Sequence, residues 1–329
     1  MTASSNISLV QTDEPLRVLA AENEFYIGTA VNSSKMEVDK DYVNTVNDEF
    51  NMVTVENDMK FPVIHPQRDV YDFTKADLIV DNAIKNNQLV RGHTLVWGNN
   101  IPDWVTKGNY SNYELRIILK NHIQTVVNHY KGKVYAWDVV NEAYNEDGTM
   151  KDTFWLRTIG EDYIKLAFQW AHEADPNVKL FYNDYEIDRP NLKSNAIYNL
   201  AKEMKAQNIP IDGIGYQMHI TTERKISAKK FNENVNRFGE LGIKTHVTEL
   251  DIGIKAGTSV ESGLKKQANM YSNILQMCLN NNNCTALILW GFTDKYTWRD
   301  KSELPLVYSD SYRPKQSYYY LLDTFIKHP

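Results

Sequence analysis

Two glutamates that end short strand-like segments are the clearest chemical signal in the sequence. Glu142 closes the segment that begins at Val134, and Glu249 closes the one that begins at Lys244. Both segments are rich in residues that favour strands. A buried strand that ends in a carboxylate can deliver a charged group to a site, whereas the simpler alternative is that the glutamate only marks the exit of the strand into solvent. The repetition favours paired carboxylates at one end of a sheet.

Other polar and aromatic side chains follow the same pattern, near the C-terminal ends of strand-like segments. They are Glu56, Asn57, Lys60, His93, Trp97, Asn141, Tyr185, Gln217, His219, Trp290 and, in the last loop, Trp298. Two carboxyl groups among hydrogen-bonding side chains and Trp rings suit cleavage of a glycosidic bond. One carboxylic acid protonates the leaving oxygen, and the other stabilises or captures the oxocarbenium-like carbon. Neutral and cationic neighbours can favour different protonation states in the two groups, which this division of labour requires.

The elements that must position these residues alternate regularly along the chain. Strands are expected at 25–31, 52–57, 89–97, 134–143, 179–185, 211–219, 244–251 and 285–292. Helical periodicity follows each of them, most clearly after Ser111, and one of these helices is expected at 154–174. Alternation of this kind is typical of a parallel sheet with crossover helices. Eight units predict an α/β fold, a closed (β/α)8 TIM barrel with its site at the C-terminal ends of the strands, and a doubly wound open sheet is the alternative.

Composition and charge restrict the function classes. The chain has 329 residues, of which 42% are hydrophobic and 24% charged, as in ordinary globular proteins. A formal net charge of −6 and the lack of a Lys/Arg run argue against a nucleic-acid partner. No apolar run reaches the roughly 18 residues that span a membrane. We expect a monomer with one catalytic barrel at residues 25–329, preceded by a leader and short helix at residues 1–24 that pack on the barrel.

The cysteine count bears on the cellular compartment. Cys278 and Cys284 flank an Asn-rich turn. Free buried thiols are one interpretation, and a short disulfide, which we prefer, would indicate an oxidising compartment. The first residues lack the basic and apolar regions of a signal peptide. A processed mature form would reconcile the two observations, so an extracellular location is expected, with an intracellular one as the alternative.

Six motifs make the sequence similar to a known family. They are Trp137-Asp-Val-Val-Asn-Glu142, Thr248-Glu-Leu-Asp251, Glu56-Asn-Asp-Met-Lys60, Arg91-Gly-His-Thr-Leu-Val-Trp97, Gly215-Tyr-Gln-Met-His219 and Trp290-Gly291. In order and spacing they resemble the family 10 glycoside hydrolases, which are mostly endo-1,4-β-xylanases, from about Tyr26 to Phe325. The resemblance implies hydrolysis of internal β-1,4-xylosidic bonds of xylan and xylo-oligosaccharides with retention of configuration. We expect no cofactor and no metal ion.

The resemblance also implies roles for individual residues. Glu249 matches the nucleophile and Glu142 the general acid/base, with their carboxyl groups expected about 5–5.5 Å apart. Asn141 matches the residue that holds the sugar 2-hydroxyl group, and Gln217 and His219 match residues that orient Glu249. The remaining matches are Glu56, Asn57 and Lys60 on the glycone side, His93 and Trp97 beside the cleavage subsite, Trp290 and Trp298 as aromatic cover, and Cys278 and Cys284 where many secreted members carry a short disulfide.

Two positions depart from the family pattern. Gly98 stands where the family usually has His, which leaves space and removes a hydrogen-bond partner beside the cleavage subsite. Phe61 replaces the commoner Trp and keeps an aromatic ring. Substrate preference is therefore expected to depend on position 98 more than on position 61.

Three alternatives remain at this point. A metal-dependent barrel hydrolase would use His93, His219 and His246, but the chain has no His-x-His or His-Glu-x-x-His spacing. His246 is interpreted as a histidine packed in the core. A glycan-binding barrel without turnover would keep the aromatic groove. A family member that acts on another β-linked glycan or a plant glycoside would keep both the fold and the mechanism.

Overall fold

The computed structural model describes residues 13–328, which contain nine parallel strands. They are β1 Tyr26–Val31, β2 Met52–Val55, β3 Leu89–Trp97, β4 Ala136–Asn141, β5 Lys179–Asp184, β6 Gly213–Tyr216, β7 His219–Thr221, β8 Lys244–Gly253 and β9 Cys284–Leu289. All except β7 form a ring in chain order, because β6 pairs with β8 and β9 pairs back with β1. The predicted (β/α)8 barrel is confirmed, and the open sheet is wrong because that sheet would leave β1 and β9 unpaired with each other.

The strands form where the sequence has apolar runs without alternation, because a parallel barrel strand is covered on both faces. All residues of β2, β4 and β6 are buried. A small cluster of Met52, Ala286 and Ile288 is separate from the large core that unites the strands with the surrounding helices. The polar residues that end these strands therefore lie on a rigid scaffold.

Thirteen α-helices in the described residues surround the barrel or cap its loops. They are α1 Leu16–Glu22, α2 Ser33–Met36, α3 Lys40–Glu49, α4 Phe61–Ile64, α5 Thr74–Lys85, α6 Asp103–Thr106, α7 Asn112–His129, α8 Phe154–Ile159, α9 Tyr163–Ala174, α10 Leu192–Ala206, α11 Ala228–Glu240, α12 Val260–Leu279 and α13 Gln316–Lys327. The loop after β9 adds two short 3-10 helices, Asp294–Tyr296 and Lys301–Glu303. Among residues 13–328, no helix combines the length and the apolar character that crossing a membrane requires.

The N-terminal helix α1 buries Leu16, Leu19 and Ala20 and packs against α13 and β1. Residues 1–12 of the expected leader lie outside the described residues. The division of the chain at residue 24 therefore stays a prediction.

Two expected elements are interrupted. The strand expected at 211–219 ends at Tyr216, and Met218 adopts a left-handed conformation with φ +61° before β7 begins. The helix expected from 154 to 174 breaks at Gly160, whose φ of +91° is accessible to glycine at little cost. The first interruption matters for the site, because the short β7 pairs with the end of β8 and brings His219 opposite Asp251.

Candidate active site

A pocket of about 450 Å3 opens at the carboxyl ends of the barrel strands. All thirteen residues that the sequence singled out for this site line it: Glu56, Asn57, Lys60, His93, Trp97, Asn141, Glu142, Tyr185, Gln217, His219, Glu249, Trp290 and Trp298. They come from the eight strands β2 to β9 or the residues that closely follow them, and from the loop after β9. The structure thus gathers into one cavity residues that lie up to 242 positions apart in the sequence.

Glu249 lies deep in this pocket, with its side chain 6% exposed. Its Oε1 accepts a hydrogen bond from Asn183 Nδ2 at 2.7 Å, and its Oε2 lies 2.9 Å from His219 Nε2. The His93 Nδ1 atom is 4.0 Å from Oε1. Burial alone would raise the pKa of Glu249, but the hydrogen bond from His219 and the neighbouring imidazoles hold that pKa below its ordinary value. Glu249 is therefore an ionised carboxylate, suited to act as a nucleophile.

His219 is the cation that supports this carboxylate. Its Nδ1 lies 2.7 Å from Asp251 Oδ2, so the ring bridges two buried acidic side chains. Burial by itself would lower the pKa of His219, but the two carboxylates raise it to about 10. Both ring nitrogens consequently donate at neutral pH, and the imidazolium fixes the orientation of Glu249.

Glu142 lies in a different setting at the end of β4. Its side chain is 14% exposed, and its backbone has a left-handed φ of +57°. Its Oε2 accepts from Trp97 Nε1 at 3.2 Å, and its Oε1 accepts from Gln217 Nε2 at 3.0 Å and Asn141 Nδ2 at 3.3 Å. The Lys151 ammonium is 3.8 Å away. A carboxyl group held by neutral donors and open to solvent is suited to exchange a proton.

Three amide side chains connect the surroundings of the glutamates. Asn141 Oδ1 accepts from Asn183 Nδ2, which also donates to Glu249, and from Gln217 Nε2, which also donates to Glu142. A continuous hydrogen-bonded chain therefore links both carboxyl groups. It fixes their relative positions without placing a further charge between them.

The end of β2 contributes a second polar group. Asn57 Nδ2 donates to Glu56 Oε1 at 3.0 Å, and Lys60 Nζ donates to Asn57 Oδ1 at 2.7 Å. Lys60 Nζ also lies 5.5 Å from the centre of the Trp97 ring. Burial raises the pKa of Glu56 and lowers the pKa of Lys60. This chain of donors and acceptors can bind the hydroxyl groups of a ligand.

Two Trp rings form a further part of the pocket wall. Trp290 lies edge-on to His93 at 5.3 Å between ring centres. Trp298 lies 5.0 Å from the His219 ring and is 60% exposed. Its Nε1 donates to Asp251 Oδ2 at 2.8 Å, which orients the exposed indole. Such faces can pack on the apolar face of a ligand ring.

The histidines do not converge on one point. His246 is 1% exposed and lies outside the pocket, 3.1 Å from Arg91 and 3.0 Å from Thr285. His93 binds Asp138 at 2.9 Å. Among residues 13–328, no group of three or more His, Cys, Asp and Glu side chains is arranged to hold a metal ion.

Sequence reasoning missed Glu186, Met218 and Arg224, which also line the pocket. Arg224 binds Asp188 at 2.5 Å and Glu186 at 2.6 Å. Glu186 and Met218 adjoin the predicted residues Tyr185 and Gln217 at strand ends, whereas Arg224 lies in the loop after β7, where strand patterning gave no signal. Asn183 was missed as well, although a polar residue near the end of β5 was the available signal.

The two departures from the family pattern have different structural settings. A Cβ atom at Gly98 would lie 2.4 Å from Thr153 Cγ2, so Thr153 occupies the space that a larger residue needs. Thr153 also caps α8 through a hydrogen bond to its Leu156 N–H group. Phe61 does not line the pocket but stacks on His122, with ring centres 3.5 Å apart. Position 98 directly follows Trp97, which lines the pocket, whereas position 61 belongs to the core.

Cys278 and Cys284 form a disulfide that links the end of α12 to the first residue of β9. This end of the barrel is opposite to the pocket, because the pocket lies at the carboxyl ends of the strands. The disulfide therefore has no direct part in the site.

Comparison with known proteins agrees with this geometry. The sequence profile described as "Glycosyl hydrolase family 10" matches residues 16–324. The protein named "Endo-1,4-beta-xylanase B" of Thermotoga neapolitana is 44% identical over 319 residues, which cover 93% of this chain and 90% of that protein. Two longer relatives match nearly the whole chain but less than a third of their own length, 28% and 30%.

Solved structures are similar over the same extent. Xylanase 10B from Thermotoga petrophila RKU-1, in complex with xylobiose, has a TM-score of 0.93 at 42% identity and covers 97% of this chain and 99% of that chain. TsXylA, described as an intracellular xylanase from Thermoanaerobacterium saccharolyticum JW/SL-YS485, has a TM-score of 0.87 at 35% identity. The match covers 94% of this chain and 99% of that chain.

Proposed function

The chain belongs to glycosyl hydrolase family 10, and we propose that it is an endo-1,4-β-xylanase that retains the anomeric configuration. The observation that carries the proposal is that two glutamates share one pocket but have different partners. Glu249 is held ionised by His219, and Glu142 is held by an indole and two amides. That asymmetry supplies a nucleophile and a proton donor without any cofactor.

The reaction proceeds in two displacements. In the first, Glu249 attacks the anomeric carbon while Glu142 protonates the departing glycosidic oxygen. In the second, Glu142 takes a proton from water, and the water oxygen releases the sugar from Glu249. Two inversions at the same carbon give net retention. The amide chain through Asn141, Asn183 and Gln217 keeps both carboxyl groups in place during the two steps.

The substrate contacts follow from the remaining walls of the pocket. We assign Glu56, Asn57 and Lys60 to hydroxyl groups of the glycone, because they form a hydrogen-bonding row at the end of β2. Trp290 and Trp298 cover the same sugars. We assign the Tyr185 ring to the leaving-group side, because the Lys151 ammonium lies 4.9 Å from the centre of that ring and 3.8 Å from Glu142. A chain of β-linked pyranoses would extend across both walls.

A related activity on another β-linked glycan is the second candidate. It is favoured by Gly98, which follows the pocket residue Trp97 and has Thr153 in the space where the family usually carries His. The deciding experiment compares linear xylan, arabinoxylan and carboxymethyl cellulose. On xylan, the viscosity of the solution should fall before many reducing ends are released, because cleavage of internal bonds shortens the chains quickly. The Glu249→Gln variant, prepared identically, controls for a contaminating hydrolase.

The stereochemical arm of the same experiment tests the mechanism. Proton NMR during the first minutes should show the β-anomer of the new reducing end before mutarotation. An α-anomer would overturn the retaining assignment, and faster cleavage of carboxymethyl cellulose than of xylan would overturn the substrate. Release of only terminal sugars would overturn the endo mode.

We further infer an extracellular, monomeric protein whose catalytic barrel spans residues 25–329. The disulfide between Cys278 and Cys284 supports an oxidising compartment. The relative described as intracellular supports the alternative. Thiol labelling of protein from its native host, with and without reductant, separates the two, and light scattering measures the mass in solution.

A further inference from the structure

Asp251 is a buried carboxylate that joins three functional groups. It lies two residues beyond Glu249 on β8 and is 0% exposed. Its Oδ2 accepts from His219 at 2.7 Å and from the Trp298 indole at 2.8 Å. Its Oδ1 accepts from Arg299 NH1 at 3.0 Å. One side chain therefore contacts the histidine that supports Glu249, the exposed indole of the pocket wall, and a guanidinium group.

The charges in this cluster balance only if Arg299 is counted. Glu249 and Asp251 are buried anions, and His219 supplies one positive charge between them. Arg299, which is 13% exposed, supplies the second. Glu303 accepts from Arg299 Nε at 2.6 Å and is itself 30% exposed, so its own charge is partly solvated. A buried anion left without its cation is strongly disfavoured.

The backbone is shaped to accept this pair. A Cβ atom at Gly253 would lie 2.0 Å from Glu303 Oε2 and 2.9 Å from Arg299 NH2. Glycine at the end of β8 thus makes room for the ion pair beside the strand. The Ile254 N–H group also donates to the Glu303 carbonyl at 2.8 Å, which anchors the loop on the strand.

From these contacts we propose that Arg299 is a positioning residue for Glu249, acting through Asp251 and His219. It neutralises Asp251, so that His219 is free to favour the ionised form of Glu249. Because Trp298 precedes Arg299 and donates to the same carboxylate, the indole that covers the substrate is held by the same loop. The inference rests on the proposed function, in which Glu249 is the nucleophile.

The other charged and titratable groups around Glu249 determine the direction in which its pKa should shift when Arg299 is removed. They are His93 on β3, Asp138 and Glu142 from β4, His219 on β7, and Lys60 after β2. Removing Arg299 adds one unbalanced negative charge to this set. The pKa of Glu249 then rises, because its ionised form is less favoured. The pKa of His219 rises as well, since Asp251 attracts its proton more strongly. A nucleophile with a higher pKa becomes protonated, and therefore inactive, at a higher pH. The acid limb of the pH profile of kcat/KM, where activity falls on the acidic side, therefore moves to higher pH.

The test is a pH profile of kcat/KM on an activated aryl xylobioside, on which departure needs little acid assistance. Arg299→Met should move the acid limb upward by about one pH unit. Arg299→Lys should restore most of the wild-type limb, because it returns the charge. Trp298→Phe keeps the charge and loses the indole N–H group, so it should raise KM and leave the limb in place. Arg116→Met, at an exposed position on α7, is the matched control for the chemical change.

A uniform loss of activity in Arg299→Met without movement of the limb would overturn the proposal and leave only a structural role. Thermal unfolding of each variant separates misfolding from this outcome. If the wild-type protein fails to hydrolyse the xylobioside, the proposed function is wrong. The arginine proposal is then tested by NMR titration of the His219 imidazole, which should titrate at higher pH in Arg299→Met than in the wild type. An unchanged titration would overturn it.

Discussion

The ends of β4 and β8 each present one glutamate to the pocket, but they hold it differently. β8 continues for four residues beyond Glu249, which lies inside the strand at the register irregularity between Val247 and Leu250. β4 ends at Asn141, so Glu142 lies in the turn that follows, with a left-handed backbone. A residue inside a strand keeps its position during a reaction. One at the turn is closer to solvent, which suits a group that must exchange a proton twice in each cycle.

The partners of the two glutamates differ in the same sense. Glu249 is bound by His219, a cation at neutral pH, and by one amide. The donors at Glu142 are the Trp97 indole and two amides, and its nearest cation, Lys151, is 3.8 Å away and 19% exposed. Surroundings, rather than residue type, thus divide the two carboxyl groups into nucleophile and acid. Replacing each in turn tests that division.

The largest effect is expected at the β8 position. Glu249→Ala removes the group that forms the covalent intermediate, so turnover should fall on the order of 10^5-fold on every substrate. Azide that enters the vacated space can attack the anomeric carbon only once, which gives an α-glycosyl azide. Activity on aryl xylobiosides and NMR of the azide product measure both points. Recovery of activity with a β-configured product would contradict the assignment of Glu249.

A smaller and selective effect is expected at the β4 position. Glu142→Ala removes the proton donor, so cleavage of xylan should fall by about 10^2- to 10^4-fold. An activated aryl xylobioside needs no proton to depart, and its first step should fall much less. Azide should then trap the glycosyl-enzyme from the Glu142 side and give a β-glycosyl azide.

The opposite anomers of the two azide products form the sharpest contrast between the two positions. Burst kinetics on the aryl substrate provide the control, because Glu142→Ala should accumulate the intermediate and Glu249→Ala should not. If the Glu142→Ala variant lost the same factor of activity on xylan and on the aryl substrate, Glu142 would not be the acid.

The fold and the pocket residues could be predicted because they depend on local patterns. Eight apolar segments alternate with helical ones, and a barrel places all their carboxyl ends on one face. Side chains such as Glu142 and Glu249 were found because polar groups recur at the ends of several buried strands, which exit into solvent alone does not explain. Gln217 and His219 were found for the same reason, although the strand that was expected to carry both is broken at Met218.

The loop residues Arg224 and Arg299 could not be predicted, because contacts distant in sequence determine their positions. Arg224 reaches the pocket through Glu186 and Asp188, 38 and 36 residues away. Arg299 meets Asp251 across 48 residues. Neither partner is signalled by periodicity. The core position of Phe61 has the same origin, since its stacking on His122 depends on the contact between α4 and α7.

The smallest effect is expected at Gly98, and it should concern only the surroundings of Glu142, not those of Glu249. Gly98 follows Trp97, whose indole binds Glu142, and Thr153 fills the space beside it. Gly98→His alone should collide with Thr153 and displace Trp97, at a strain of about 1–3 kcal/mol. We expect kcat/KM on xylan to fall on the order of tenfold, while the acid limb of the pH profile, which reports on Glu249, stays in place.

The double variant Gly98→His with Thr153→Gly removes the collision, since glycine is tolerated at a helix N-cap. It should recover activity on xylan and change the ratio of rates on xylan and glucan, because an imidazole then stands beside the cleavage subsite. Thr153→Gly alone controls for the lost cap of α8, which thermal unfolding measures. Wild-type rates and stability in Gly98→His would show that position 98 does not meet Thr153. A shifted acid limb would show instead that the two sides of the pocket are not independent.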